Sequence, residues 1–298
     1  MTVRHLLDID DLTPGEVRAV LDLADRPDRP PLLVGRGVAL LFEKPSARTR
    51  HSTEMAVVQL GGHPITVRPD EVGLDQRESV EDVTRTLACY HAALCARVFD
   101  HRHLERMAAV SSVPVVNLLS DRGHPLQALA DLLTLRQHTG SLDLRIAWVG
   151  DFSNVARSLA LGASLVGATF AFAGPEGYGP SAHDVARVVE LGGRIDVSTD
   201  PREAVAGAQC VTTDTWYSMG QEAETAERRA AFAGYTVDEA LLDAAAADAV
   251  FLHCLPAHRG EEVAAAVIDG PRSLVWPQAS NRMHTARGAL AFLLEASA

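Results

Sequence analysis

Short unbroken apolar runs alternate along the chain with longer stretches in which apolar positions recur every third or fourth residue. The first pattern predicts buried strands and the second amphipathic helices. "DLTPGEVRAVLDLAD" opens a helix: Thr13 is its N-cap, Pro14 its first residue, and Glu16 completes a capping box. "RPDRPP" breaks it. "VALLF" is a buried strand, followed by a helix from about Ser46 to Leu60 that stops at Gly61-Gly62. "PITV" is a strand, "ESVEDVTRTLACY" a helix capped by Ser79, "AALCARVF" a strand, "RHLERMAAV" a helix and "VPVVNLL" a strand. "HPLQALADLLTLRQHTG" is a helix ending at Gly140.

The rhythm restarts at "LRIAWVG". A helix over 154–166, strand "ATFAFAG", a helix over 182–191, strand "RIDVS" and a short helix near 201–207 follow. Then come strand "CVTTD", a helix over 238–247 and strand "AVFLHCL". "SNRMHTARGALAFLLEASA" predicts a last amphipathic helix capped by Ser280. Alternating strands and helices argue for βαβ units and parallel sheets. The expected fold is therefore α/β, with two domains of similar size, each a parallel sheet flanked by helices. Two such domains leave a cleft, where small-molecule sites tend to lie.

Composition narrows the function classes. The 27 basic side chains against 39 acidic ones give a net charge of −12, which disfavours nucleic acid and makes any basic cluster conspicuous. Cys89, Cys95, Cys210 and Cys254 form no CxxC pair and read as reduced thiols. "MTVRHLLDIDDL" is acidic where a signal peptide would be basic and then apolar. No apolar run approaches the roughly 18 residues of a membrane span. A cytoplasmic protein with no membrane partner is expected.

Five stretches carry candidate chemistry. In "LFEKPSARTR", residues 41–50, an apolar strand ends at Glu43-Lys44-Pro45, and two guanidiniums and two hydroxyls crowd into five residues. A helix starting there offers free N–H groups and a positive dipole end at Ser46 to Thr49, and Arg48 adds a donor fork suited to phosphate oxygens. Position and residue type fit a phosphate cradle; they also fit an N-cap beside surface arginines. In "DRGHPLQALAD", His124 and Gln127 flank a helix start and suit a carbonyl and an NH2, or simply cap and solvate the helix. In "GDFSNVARSL", Asn154 is a substrate contact or a helix cap, and the GxGxxG of a dinucleotide site is missing. In "TDTWYSMGQE", Asp214 can face an ammonium or be satisfied by its own turn. In "FLHCLPAHRG", Cys254 is an inert strand thiol or part of a site. His253, Cys254 and His258 match no standard zinc spacing, and no metal is expected.

Taken in order, these stretches resemble the ornithine carbamoyltransferase family along nearly the whole chain. The likeness rests on "FEKPSARTR", "HPLQALADLLT", "DTWYSMGQE", "FLHCLPAHRGEEV" and "NRMH". The sister aspartate carbamoyltransferases share the first two, but normally read His-Pro-x-Pro where this chain has His253-Cys254-Leu255-Pro256. The resemblance implies a carbamoyl phosphate domain over 1–139, an ornithine domain over 140–279, and a C-terminal helix over 280–298 returning to the first. It implies that Ser46, Ala47, Arg48 and Thr49 hold the phosphate and that Arg97 bridges phosphate and carbonyl. His124 and Arg282 would address the carbonyl oxygen. Gln127 and the backbone carbonyls of Cys254 and Leu255 would orient the carbamoyl NH2. Asn154, Asp214, Ser218 and Met219 match the ornithine contacts. Arg97, His124, Asp214, Cys254 and Arg282 form the implied catalytic set.

The family works without a cofactor, as trimers with active sites at subunit borders, so a homotrimer or a multiple of it is expected. Gln76, in "GLDQRESVED", lies where a neighbouring subunit usually contributes a polar residue, and no role is assigned to it. Three positions depart from the family pattern: Ala47 for a usual Thr, Ser153 for the first of an Asn-Asn pair, and Leu126 for a frequent Cys. The alternatives are a carbamoyltransferase for another amine, such as acetylornithine or putrescine, and a catalytically silent paralogue that binds carbamoyl phosphate.

Overall fold

A computed structural model describes residues 3–28, 30–217 and 224–296. The chain divides into two compact units, 1–133 with 280–298, and 134–279.

The first unit begins with α1 (Pro14–Asp25), β1 (Gly37–Phe42), α2 (Ala47–Gln59) and β2 (His63–Val67). It continues through α3 (Pro69–Val72), α4 (Val80–Tyr90), β3 (His91–Arg97), α5 (His101–Val110) and β4 (Val115–Leu119). α6 (Pro125–Thr139) runs from the first unit into the second. The Thr13 hydroxyl accepts from Glu16 N, and the Glu16 carboxylate accepts from Thr13 N, so the capping box forms as the sequence predicts. The strands lie in the order β2-β1-β3-β4, all parallel. Val80, Val83, Leu94, Ala96, Leu104 and Met107 are among the side chains that bury one of its faces.

The second unit holds β5 (Arg145–Val149), α7 (Asn154–Val166), β6 (Thr169–Ala173), α8 (Ala182–Glu190), β7 (Ile195–Ser198) and α9 (Pro201–Val205). β8 (Cys210–Thr213), α10 (Thr225–Ala231), α11 (Glu239–Leu242), β9 (Val250–His253) and α12 (Ala265–Ile268) complete it. Its parallel sheet has the order β7-β6-β5-β8-β9. Near-continuous burial of β5, β6, β8 and β9 is what a parallel sheet covered on both faces requires.

α13 (Val275–Ala296) returns to the first unit, as the resemblance implied. Arg287 donates to the carbonyls of Ala24 and Arg26 at 2.6 and 3.0 Å, and Thr285 to Leu126 O at 3.3 Å. Gly288 lets α13 press onto α1, since a Cβ there would lie 2.6 Å from Val20 O. The helix starts five residues before the expected Ser280 cap. Pro277 falls in its first turn, where a missing N–H costs nothing, so Trp276-Pro277 extends the helix instead of breaking it. The helix expected over 238–247 ends at Leu242, and the alanine-rich remainder forms turns. No helix among the described residues is long and apolar enough to cross a membrane.

Candidate active site

In both sheets the strand order reverses direction beside a central strand, and ligands of open α/β sheets bind at the carboxyl ends of the strands there. In the first unit this point lies between β1 and β3. The residues after β1 are Glu43 to Thr49, and β3 ends at Arg97. Glu43 N–H donates to Arg97 O at 2.8 Å, which binds the two strand ends together.

Ser46 caps α2, its hydroxyl accepting from Thr49 N at 3.3 Å, and Ala47 is the first helical residue. The two arginines of the loop part company. Arg50 pairs with Glu54 one turn on, at 3.2 Å, whereas Arg48 is exposed and has no hydrogen-bond or ion-pair partner among the described residues. The helix start, with its free N–H groups, and one free guanidinium therefore remain for an anion.

Thr49 is buried, and its hydroxyl accepts from Arg282 Nη2 at 2.7 Å. Arg282 Nη1 donates to Gln127 Oε1 at 2.9 Å, and Nη2 approaches His124 Nε2 at 3.5 Å. A guanidinium has no lone pair, so the facing imidazole nitrogen is an acceptor. Burial first, then Arg282 and Arg97, pushes His124 well below its ordinary pKa, so this ring is neutral. Gln127 Nε2 donates to Asp131 Oδ1 at 2.7 Å, which fixes the amide's orientation. The turn before His124 is held by buried polar groups. Asn117 Nδ2 donates to Ser120 Oγ and Gly123 O, both at 3.2 Å, and the His124 carbonyl accepts the first bonds of α6.

In the second unit the reversal lies between β5 and β8. Gly150 follows β5 with φ +132, where a Cβ would lie 3.3 Å from Thr213 Oγ1. Ser153 caps α7, accepting from Ala156 N at 3.4 Å, so Asn154 is the first helical residue and not the cap. After β8, Asp214 Oδ1 accepts from Thr215 N at 2.8 Å and from the Cys254 thiol at 3.1 Å. Burial pushes the Asp214 carboxyl up, against the opposing effects of His253 and Cys254.

Beneath Cys254 lies a buried pair. His253 Nδ1 accepts from Leu255 N at 2.9 Å, so Nε2 is the donor to Glu262 Oε1 at 3.1 Å. Glu262 Oε1 also accepts from His258 N at 2.6 Å. This holds Leu255 at φ +61, ahead of a cis Leu255-Pro256 bond. Asp214, His253 and Cys254 each present a ligand atom, all within 4.8 Å of one another. Both His253 nitrogens are already engaged, however, and His258 instead stacks on Tyr217 at 5.0 Å. Satisfied in this way, the cluster does not call for a metal.

Residues 4–137 match the family described as "Aspartate/ornithine carbamoyltransferase, carbamoyl-P binding domain", and residues 142–293 its "Asp/Orn binding domain". The chain belongs to the aspartate/ornithine carbamoyltransferase family. It is 51% identical over 307 residues to an ornithine carbamoyltransferase of Acidothermus cellulolyticus, covering 99% of this chain and 98% of that one. Among solved structures it resembles ornithine carbamoyltransferase from Pyrococcus furiosus, with a TM-score of 0.94 and 40% identity over 99% of this chain and 98% of that one. An N-acetyl-L-ornithine transcarbamylase complexed with PALAO also matches, with a TM-score of 0.87 and 27% identity over 97% and 100% of the two chains.

Within this carbamoyltransferase fold, the first unit places Ser46, Ala47, Arg48 and Thr49 after β1, Arg97 at the end of β3, and His124 and Gln127 after β4, and Arg282 of α13 bonds both Thr49 and Gln127. The second places Asn154, Asp214, Cys254 and Leu255 at the ends of β5, β8 and β9. Ser218 and Met219 lie outside the described residues. Asp131 and Glu262 join the site beside the residues that the motifs implied, Asp131 through Gln127 and Glu262 through His253. Asp131 stands one helical turn after Gln127, a spacing that signals a side-chain pair. Nothing in the sequence brings Glu262 to His253.

Proposed function

We propose that this protein transfers the carbamoyl group of carbamoyl phosphate to the side-chain amine of L-ornithine, giving L-citrulline and phosphate, a step of arginine biosynthesis. The observation that carries the proposal is the single Arg282 guanidinium that joins Thr49 of the phosphate loop to Gln127 and His124. One cation thereby links groups suited to a phosphate, a carbonyl oxygen and an amide NH2.

In this reading the helix start and Arg48 receive the phosphate, and Arg97 bridges it to the carbonyl. The amine nitrogen attacks the carbonyl carbon, and the charge on the resulting oxyanion meets Arg97, His124 and Arg282. Collapse breaks the C–O bond to phosphate, whose charge the α2 N-terminus and Arg48 stabilise. Gln127 and the carbonyls of Cys254 and Leu255 orient the NH2. The ornithine side-chain amine, with a free pKa of about 10.4 by analogy with lysine, must react unprotonated. Asp214 and Cys254 are assigned to hold it and receive its proton, and Asn154, Ser218 and Met219 to hold the rest of ornithine. No covalent enzyme intermediate is needed, so positioning and electrostatics supply the catalysis. The same proposal has the protein working in the cytoplasm, without cofactor, nucleic acid or membrane, as a homotrimer or a multiple of it.

The test is a parallel assay of ureido product from carbamoyl phosphate with ornithine, acetylornithine, putrescine and aspartate. Product with ornithine at a kcat/KM far above the other three supports the proposal. A preference for another amine replaces the substrate while keeping the reaction, and no product with any of them leaves a silent paralogue.

A further inference from the structure

We propose that Gln278 is a positioning residue for the carbamoyl group: it fixes the end of β9, and with it the backbone carbonyls of Cys254 and Leu255 that accept from the carbamoyl NH2. The inference rests on the carbamoyl phosphate reading above, and it adds a residue that neither the motifs nor the resemblance assigned.

β9 is the last strand in the order of its sheet, so one of its sides lacks a full strand partner. Residues 272–274 supply a short substitute. Phe251 N donates to Arg272 O and Leu274 N to Phe251 O, both at 2.9 Å, which is the pattern of a parallel pair. Continued by two residues, that pattern would send His253 N to Leu274 O. The chain turns into α13 at Val275 instead, and Leu274 O accepts from Gln278 N at 2.9 Å in the first turn of the helix. His253 is buried, and a buried N–H left unpaired is costly. Gln278, itself 1% exposed, meets the need: its Oε1 accepts from His253 N at 2.9 Å. The partner is an N–H, so the amide must turn its oxygen to it. A side chain thereby stands in for the next residue of a strand.

The backbone after His253 depends on where His253 is held. Its Nδ1 accepts from Leu255 N at 2.9 Å, and its Nε2 donates to Glu262 Oε1 at 3.1 Å. Leu255 has φ +61, a conformation that L side chains rarely adopt, so the chain leaves the strand direction there. Cys254 lies between the two, with its thiol on Asp214 Oδ1 at 3.1 Å. His253 is thus gripped by its ring from Glu262 and by its backbone from Gln278, and the two carbonyls that follow are carried on that grip.

The chemical consequence is selectivity. Carbamoyl phosphate and acetyl phosphate share a phosphate and a carbonyl, and differ in an NH2 against a CH3. Only the NH2 can donate, and a site built to bond a donor rejects an analogue that lacks it. Loss of Gln278 displaces the acceptors and weakens the preference for NH2. The hold on the phosphate, assigned to the loop after β1, stays.

The experiment is calorimetric binding of carbamoyl phosphate and of acetyl phosphate to the full chain, for wild type, Gln278→Met and Gln278→Glu. Circular dichroism controls for folding. Methionine matches the length with only a weak acceptor, whereas glutamate keeps an oxygen for His253 N. Wild type is expected to prefer carbamoyl phosphate. Gln278→Met is expected to bind carbamoyl phosphate about tenfold more weakly, the size of one ordinary hydrogen bond, and acetyl phosphate as wild type does. Gln278→Glu is expected to keep most of the preference. Gln278→Asn, whose amide sits one methylene short, replaces Gln278→Met if that variant does not fold. An unchanged preference in Gln278→Met, an equal loss for both ligands, or an equal loss of preference in the Met and Glu variants overturns the role of Gln278 alone. A wild type that binds the two phosphates alike overturns the reading of Cys254 and Leu255 as acceptors for the NH2, and this inference with it.

Discussion

Arg282 Nη2 donates to Thr49 Oγ1 at 2.7 Å, although 233 positions separate the two residues. The bond is buried, so Arg282 is a structural cation beside the first turn of α2, whereas Arg48 is exposed and has no hydrogen-bond or ion-pair partner among the described residues. The two arginines are therefore not equivalent. Arg282 is tied into Thr49, Gln127 and His124, so removing it disturbs packing as well as binding. Arg48 is exposed and makes no hydrogen bond or ion pair among the described residues, so it can be removed with little disturbance.

Arg48→Ala is accordingly expected to fold normally and to lose carbamoyl phosphate. Truncating one member of a buried hydrogen-bonded charge pair costs about 2–5 kcal/mol, and a loss of that order is expected here. Calorimetry with carbamoyl phosphate, alongside circular dichroism, checks it. Near-normal affinity sinks the phosphate cradle.

Asp214→Asn is expected to spare carbamoyl phosphate binding and to damage ornithine use. Asp214 follows β8 of the second unit, while the cradle follows β1 of the first. A hydrogen bond to a charged group is worth about 1.5–3 kcal/mol, so the KM for ornithine should rise roughly ten- to a hundredfold. Equal losses for both substrates would break this division of labour.

Cys254→Ser separates a packing thiol from a working one. Its Sγ donates to Asp214 Oδ1 at 3.1 Å, and a serine hydroxyl can make that bond too. A role for sulfur in placing or deprotonating the amine predicts a lower kcat/KM for ornithine and a displaced pH profile, since that profile reports essential groups of the free enzyme. We expect the displaced profile. Superimposable curves of equal height remove Cys254 from the catalytic set.

His124 predicts a pH effect on stability. Its folded pKa is depressed, chiefly by burial. The unfolded chain takes up a proton near about pH 6.5 that the folded protein refuses. The stability tied to a neutral His124 is therefore complete above about pH 6.5 and is lost as pH falls below it. His5 and His101 are depressed by burial too, so they share the acid limb. Tm should fall between about pH 7 and about pH 5.5, and His124→Gln should make that fall shallower. An equally steep fall in the variant shows that the imidazole is not held neutral.

The parts of the fold legible in the sequence were those with local causes. Thr13 with Glu16 gives a helix start that needs nothing outside the segment. "VALLF" before Pro45 and Ser46 gives the strand, turn and helix start that join β1 to α2. Where the local signal is mixed, the structure departs from the expected element. Pro277 breaks a helix interior yet suits a first turn, and the alanines after Leu242 favour helix but are drawn into turns by Ala246 N bonding to Ala208 O. The site divides along the same line. Arg48 could be read from its position, whereas Arg282 came from the family resemblance, because its partner Thr49 is remote in sequence. Glu262 meets His253 through the folding of the 254–261 loop, which no periodicity announces.

The return of α13 bears on the order in which the protein is completed. The first unit takes residues 1–133 and then 280–298, so all of the second unit is made in between. Domains fold as they emerge from the ribosome, at about 5–20 residues per second. The second unit can thus close while the first still lacks Arg287 against α1 and Arg282 against Thr49. The half that carries β1 and α2 is begun first and finished last. Until α13 arrives, the nascent chain keeps open the surface of α1 that Gly288 is shaped to meet.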